Sequence, residues 1–272
     1  SDAELGTAEF QSRIKNFMVK ALREGKVHSS WLNQNHEYEH LVTGFVDRIL
    51  EEHGSNRFLA DFRHFQQRIA FMGAINSLSQ TLLKMTCPGV PDFYQGTTAW
   101  DFSLVDPDNR RPADLPDLKE WESKFGHWQA RNLADAIGHL LENWKDGNLK
   151  SFLIFKTLQF RNEHQDLFHK GEYVPLRGAG LAMEHSISFA RHRADQWIIS
   201  VVPRFLTSLT ALEKMPLGRR FWRDAGIPIP PGMPVTWRNV ITNENLVQNS
   251  SGRIQLSDVL KIFPVALLVG QG

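Results

Sequence analysis

The sequence has 272 residues, 42% of them hydrophobic and 11% aromatic, which is ample for a core and excludes a disordered chain. With 31 basic residues against 30 acidic ones the net charge is +1, so no global field draws the chain to nucleic acid or to an anionic membrane. Cys87 is the single cysteine, so there is no internal disulfide; no apolar run approaches the ~20 residues of a membrane helix, and no secretory signal is expected. One large or two ordinary domains in a reducing, cytoplasmic compartment is the expectation.

Phe10, Ile14, Phe17, Met18, Ala21 and Leu22 recur at helical spacing and predict a first helix, closed by Gly25. Residues 26–35 form a connection with His28, Trp31 and Asn33. Trp31 reads either as a buried anchor of that loop or as the wall of a cleft.

A second helix starts at Asn35. His36-Glu37-Tyr38-Glu39-His40 fits the His-Glu-x-x-His zinc pattern. On a helical wheel, however, Tyr38, Leu41, Val42, Phe45, Val46 and Ile49 define the apolar face, and both histidines point away from it. A catalytic zinc needs a sheltered site and a third ligand. A solvated helix face is therefore the expectation, with no metal and no cofactor.

Gly54-Ser55-Asn56 separates this helix from a long one marked by Phe62, Phe65, Ile69, Met72, Ile75, Leu78 and Leu82. Its small residues Gly73, Ala74, Ser77 and Ser79 permit close packing on a sheet. Pro88 and Gly89 stop it. The apolar run that follows, up to Tyr94 and Gln95, is too short for a helix and predicts a buried strand, which Gly96 turns into a polar loop. Helix, buried strand and long loop form the unit of an α/β barrel.

In the loop, Asp106 and Asp108 flank Pro107 in one turn, too close to straddle a sugar ring as the paired carboxylates of a retaining glycosidase must. The segment lacks the glycine and distal glutamate of a calcium loop. Asp106 and Asn109 are expected to fold the turn through side-chain to backbone bonds. Arg110 and Arg111 are free to clamp carboxylates or donate to sugar hydroxyls. On the residues alone, this is a self-bonded surface loop.

A charged crossing, 115–126, leads to a helix marked by Trp128, Leu133, Ile137, Leu140, Leu141 and Trp144. Asp146-Gly147-Asn148 breaks it. Leu149 to Phe160 mark a last long helix, ended by 162–171. Short β-favouring runs follow at Tyr173–Leu176, Ile187–Arg191, Trp197–Val202, Val235–Val240 and Phe263–Val269, which predict a small antiparallel sandwich from about residue 171. Arg219-Arg220-Phe221-Trp222-Arg223 reads as arginine stems covering a tryptophan edge, and Ile227 to Pro234 as a stiff strand connection.

Three ordered stretches carry a resemblance: Met18-Val-Lys-Ala-Leu-Arg-Glu-Gly-Lys-Val-His-Ser-Ser-Trp-Leu-Asn33, the segment Arg68 to Lys84, and Pro88-Gly-Val-Pro-Asp-Phe-Tyr-Gln-Gly-Thr97 with Trp100-Asp-Phe-Ser-Leu-Val-Asp-Pro-Asp-Asn-Arg-Arg-Pro112. Together they are similar to maltooligosyltrehalose synthase, of the α-amylase-like group. The family usually has Glu where this chain has Thr98.

The resemblance implies an α+β chain. Residues 1–170 would be the carboxyl-terminal part of a (β/α)8 barrel, mostly helical and holding its last strand; residues 171–272 would be the closing β-sandwich. It also implies an intramolecular transglucosylase, a glucosylmutase that turns the reducing-end α-1,4 bond of a maltooligosaccharide into an α,α-1,1 bond. The family's third catalytic Asp lies in a His-Asp-Thr-Lys-Arg motif, and its other catalytic carboxylates sit on earlier strands. No His-Asp dipeptide occurs here. The chain is expected to be inactive alone, with no catalytic residue of its own. By resemblance it contributes cleft wall through His28, Trp31, Tyr94, Gln95, Trp100, Asp101, Asp106, Asp108, Asn109, Arg110 and Arg111. A partial barrel exposes edges, so the chain is expected either to associate with itself or to pack its helices into a non-barrel core. A carbohydrate-binding scaffold without catalysis is the alternative.

Overall fold

The computed structural model describes residues 7–106, 108–110, 112, 121, 123, 125–126, 132–209 and 214–271. Two compact units divide it, Ser1–Ile69 with Asp101–Asp114, and Ala70–Trp100 with Leu115–Gly272.

In the first unit, α1 spans Ala8–Gly25; Thr7 caps it by accepting from Phe10 N–H, and Lys26 closes it in the left-handed region. Asn35 caps α2, His36–Leu50, through Tyr38 N–H. Asn56 does the same for α3, Arg57–Thr86, through Leu59 N–H. Val46, Leu50 and Leu59 form a small core with Phe10, Ile14, Met18 and Ile49. The predicted face of α2 is corrected: Glu39, Val46 and Leu50 are its buried residues, whereas Leu41 and Phe45 are exposed. Three helices leave room for only one narrow seam, and the residues on its flank stay outside.

The division falls within α3. In the second unit its later residues Phe71, Met72, Ile75, Leu78, Leu82 and Met85 are buried. Ser79 donates to the Pro203 carbonyl at 3.0 Å, as its small size suggested, but Gly73 is exposed, with no neighbouring element within 4 Å of where a Cβ would sit. Helices α4, Leu133–Glu142, α5, Asn148–Glu163, and the short α6, Gln165–Lys170, follow. Trp128, placed by its spacing at the start of α4, lies outside the described residues, as does most of the crossing before it.

The predicted strand before Gln95 does not form. Residues 90–95 join no strand among the described residues, with Val90 and Tyr94 exposed. A parallel barrel strand is held by two neighbours, and no described strand precedes residue 172.

Each of the five predicted β runs holds a strand, although Val235, Val240 and 263–265 lie outside theirs. β1 (Glu172–Leu176), β2 (Ser186–Arg193), β3 (Gln196–Pro203), β5 (Thr236–Asn239) and β8 (Ala266–Gln271) join β6 (Asn245–Val247) in one antiparallel sheet of order β1-β2-β3-β8-β5-β6. In place of a full second sheet there is a two-stranded pair, β4 (Gly226–Pro228) with β7 (Arg253–Gln255). Alternation on β3 divides the core. Ile199 and Val201 face Trp222, Ile227, Ile254 and Leu256, while Ile198 and Val202 belong with Leu82, Phe152, Leu153 and Phe263. Trp222 is fully buried and donates to the Pro216 carbonyl, so the arginine-rich run around it is built on a core anchor.

Two buried arginines tie α3 to this unit. Arg161 donates to the carbonyls of Met85 and Gly89 at 2.8 Å. Arg191 donates to those of Thr86, Phe168 and Gly171. The last carbonyls of a helix lack intrahelical partners and carry its negative end, so two guanidinium groups there replace solvent. Burial lowers both arginine pKa values and raises that of the adjacent Cys87 thiol.

Candidate functional site

The first unit carries a buried ionic cluster that the spacing arguments missed. Arg23, near the end of α1, grips Glu39 of α2 with two parallel bonds, both 2.8 Å. Ser29 Oγ donates to the same carboxylate at 2.6 Å and accepts the Asn35 N–H at 3.1 Å. One carboxylate therefore fixes both ends of the connection between α1 and α2. Glu39 is 6% exposed. Its pKa is pushed down to about 2, chiefly by the Arg23 bonds and then by Ser29, against a smaller opposing effect of burial.

His28 and Trp31 hang from this fixed connection. Trp31 is 53% exposed, with the Arg23 guanidinium 5.1 Å from its ring centre. It is thus not the buried anchor of its loop; Ser29 is. The His28 ring meets Tyr38 at 4.9 Å. His36 and His40 are exposed, as the wheel predicted. Among the described residues, no group of three or more His, Cys, Asp or Glu is arranged to hold a metal ion.

The loop after residue 100 is also fastened within this unit. Asp108 accepts two bonds from Arg13 of α1, both 2.9 Å, and the Leu104 N–H at 2.7 Å. Arg13 also donates to the Phe102 carbonyl. Asp108, rather than Asp106, thus ties the turn to its own backbone. Asp106 pairs instead with Arg110 and, at 3.8 Å, with Lys20. Asp101 accepts the Ser103 N–H, and Asn109 is half-buried. Arg111 lies outside the described residues.

In the second unit, Thr97 donates through both its hydroxyl and its N–H to the Tyr94 carbonyl, which closes the turn after exposed Gln95. Trp100 Nε1 donates to the Trp144 carbonyl at 2.6 Å, and Lys150 donates to the Ala99 carbonyl beside the Trp100 ring. The Thr98 carbonyl takes a bond from Ser151. Gly147 makes this approach possible: at φ +82 it sits where a Cβ would lie 3.0 Å from Ala99 Cβ and 3.1 Å from Trp100 N.

The site residues expected from sequence thus fall into two groups, one in each unit. His28, Trp31, Asp101, Asp106, Asp108, Asn109 and Arg110 belong to the first; Tyr94, Gln95 and Trp100 belong to the second. A separate open cavity of about 600 Å³ in the second unit is lined by Arg219, Arg223, Asp224, Gln255, Ser257 and Asp258. None of the expected residues lines it.

Long helices leading into a helix-backed antiparallel sheet make this a mixed α+β chain. No protein-family model matches it. Over 263 residues, 97% of its length, it is 30% identical to a Mycobacterium tuberculosis protein described as "Putative maltooligosyl trehalose synthase". The solved structure of maltooligosyltrehalose synthase from Arthrobacter ramosus matches 96% of the chain with a TM-score of 0.68 and 26% identity. A crystal structure of a maltooligosyl trehalose synthase matches 98% with a TM-score of 0.69 and 28% identity. The chain spans about 29% of the length of the curated relative, and 30% and 31% of those two structures. Along nearly its whole length, then, this chain is similar to a carboxyl-terminal portion of maltooligosyltrehalose synthases.

Proposed function

We propose that this chain is a carboxyl-terminal part of a maltooligosyltrehalose synthase, a glucosylmutase that converts the reducing-end α-1,4 bond of a maltooligosaccharide into an α,α-1,1 bond in the cytoplasm. The collinear match over 97% of the chain carries this reading. The general chemistry is that of retaining enzymes, with a carboxylate nucleophile, a carboxyl acid/base and a covalent glycosyl intermediate. The released glucose turns in place and attacks where water is excluded. The catalytic carboxylates belong to the polypeptide that precedes this part in the relatives, and the chain is inactive alone.

Its own contribution is recognition of glucan. Residues 1–170 complete the barrel and 171–272 close it. Trp31 offers an exposed indole for stacking on a sugar face, set by the Arg23–Glu39–Ser29 cluster. His28, Asp101 and the Asp106 to Arg111 loop supply polar contacts from the first unit, and Tyr94, Gln95 and Trp100 supply theirs from the second. Asp108, with both oxygens held by Arg13, shapes that loop.

The test is a fusion in which this chain replaces the matching part of the Mycobacterium tuberculosis relative. Incubated with maltopentaose, it is expected to remove reducing ends without releasing glucose. A folded fusion that leaves reducing ends unchanged, or only hydrolyses the substrate, would refute the reading.

A further inference from the structure

The arginine-rich run 219–223 has no part in the functional reading, yet it walls the open cavity of about 600 Å³ in the second unit. That volume is typical of a small-molecule site. Its frame is fixed. Trp222 is fully buried and anchored to the Pro216 carbonyl, and Arg219 and Arg223, one helical turn apart, both line the cavity. Gln255 ends β7, paired with Gly226 of β4, and Ser257 and Asp258 follow it in the helical turn Leu256–Val259.

The lining carries unmet bonding capacity. Arg223 has φ +49 and ψ −115, a backbone that glycine adopts freely and arginine only under strain. Its guanidinium nevertheless forms no hydrogen bond or ion pair among the described residues. Gln255 Oε1 is buried without a hydrogen-bond partner, which is costly unless something else donates to it. Two guanidinium groups and the carboxylates of Asp224 and Asp258 share the cavity, and among the described residues none of the four is ion-paired.

We infer that this cavity binds a short, uncharged oligosaccharide. The mixed charges select that class. An anion would meet two carboxylates, and a cation two guanidinium groups. A sugar hydroxyl donates one hydrogen bond and accepts others, so it joins a carboxylate to a guanidinium without bringing charge, and it can also donate to Gln255 Oε1. Asp258 also borders a second cavity of about 220 Å³, where Glu244, Asn245 and Lys261 repeat the combination of acid, amide and base. Lys261 and Glu244 are paired there at 3.3 Å. A repeated lining suits a ligand made of repeated hydroxylated units. The oligosaccharide class rests on this lining; the choice of an α-1,4 glucan as probe rests on the functional reading above.

The test is calorimetric titration of the 272-residue chain with maltopentaose. Saturable binding is expected, weakened at least ~10-fold by Arg223→Gly and by Gln255→Met. Both substitutions remove groups without a partner inside the fold, so the unfolding temperature is expected to stay at the parent value or, for Arg223→Gly, to rise as strain is relieved. No binding to the parent, or binding that either variant leaves at full strength, would overturn the inference. Weakened binding with a lowered unfolding temperature in both variants would overturn it too, because the two groups would then serve the fold. Inorganic phosphate or free glycine bound in preference to maltopentaose would replace the sugar by an anion or a zwitterion. The functional reading is judged separately, by the activity of the fusion. Cavity binding without mutase activity sinks that reading alone, and activity without cavity binding sinks this inference alone.

Discussion

The two halves of α3 each carry an apolar stripe, and the stripes meet opposite fates. Phe62, Phe65 and Ile69 face solvent, whereas Ile75, Leu78 and Leu82, roughly 140° further round the helix, are 0–1% exposed. The difference is the presence of a partner. The later residues meet α5 and a sheet whose strands all belong to this chain; no element of the first unit's core takes the earlier ones. Periodicity predicts which residues share a face, and only the rest of the polypeptide decides whether that face is covered.

Four substitutions set the two halves against each other. Phe152→Ala, in the core shared with Leu82, is expected to have the largest effect, about 3–5 kcal/mol of stability lost in chemical denaturation. Arg191→Met comes next. It strips the carbonyls of Thr86, Phe168 and Gly171 of their donor inside the fold and is expected to cost about 2–3 kcal/mol, read in the same titration.

Glu39→Gln should act more locally, loosening residues 26–35 while leaving the sheet unchanged; hydrogen exchange of the Asn35 amide measures it. The same carboxylate sets a pH dependence. Its folded pKa of about 2 lies below the unfolded value of about 4.3, so its stabilising contribution is complete above that unfolded value and is lost as pH falls toward 2. Acid titration of loop protection should show this loss in the parent and not in Glu39→Gln. The smallest effect is expected of Phe65→Ser, within about 0.5 kcal/mol in the isolated chain because the side chain is already exposed. A loss comparable to that of Phe152→Ala would mean the two halves of α3 are alike after all.

Much of the fold was legible in the sequence because the signals were local. Asn35, Pro88 and the β-branched runs mark element ends and strands without reference to distant residues. The three-residue strands at 226, 245 and 253 escaped because they are too short to show a period. The strand expected before Gln95 failed for a non-local reason: its pattern was read correctly as apolar and bounded, but a strand exists only with neighbours. Of the site, Arg23–Glu39 was hidden by a stronger false signal, since Glu39 sits inside the His36–His40 pattern. A clue was present. Glu39, Val46 and Leu50 share one helical phase, and an acid in a buried stripe calls for a cation, which Arg23 supplies.

The most direct measurement is the simplest one, the 272-residue chain incubated with maltopentaose while reducing ends and free glucose are followed. The account predicts that both stay constant, because it assigns the catalytic carboxylates to the polypeptide that this chain does not match. Loss of reducing ends without glucose would show a complete catalytic set here and contradict it.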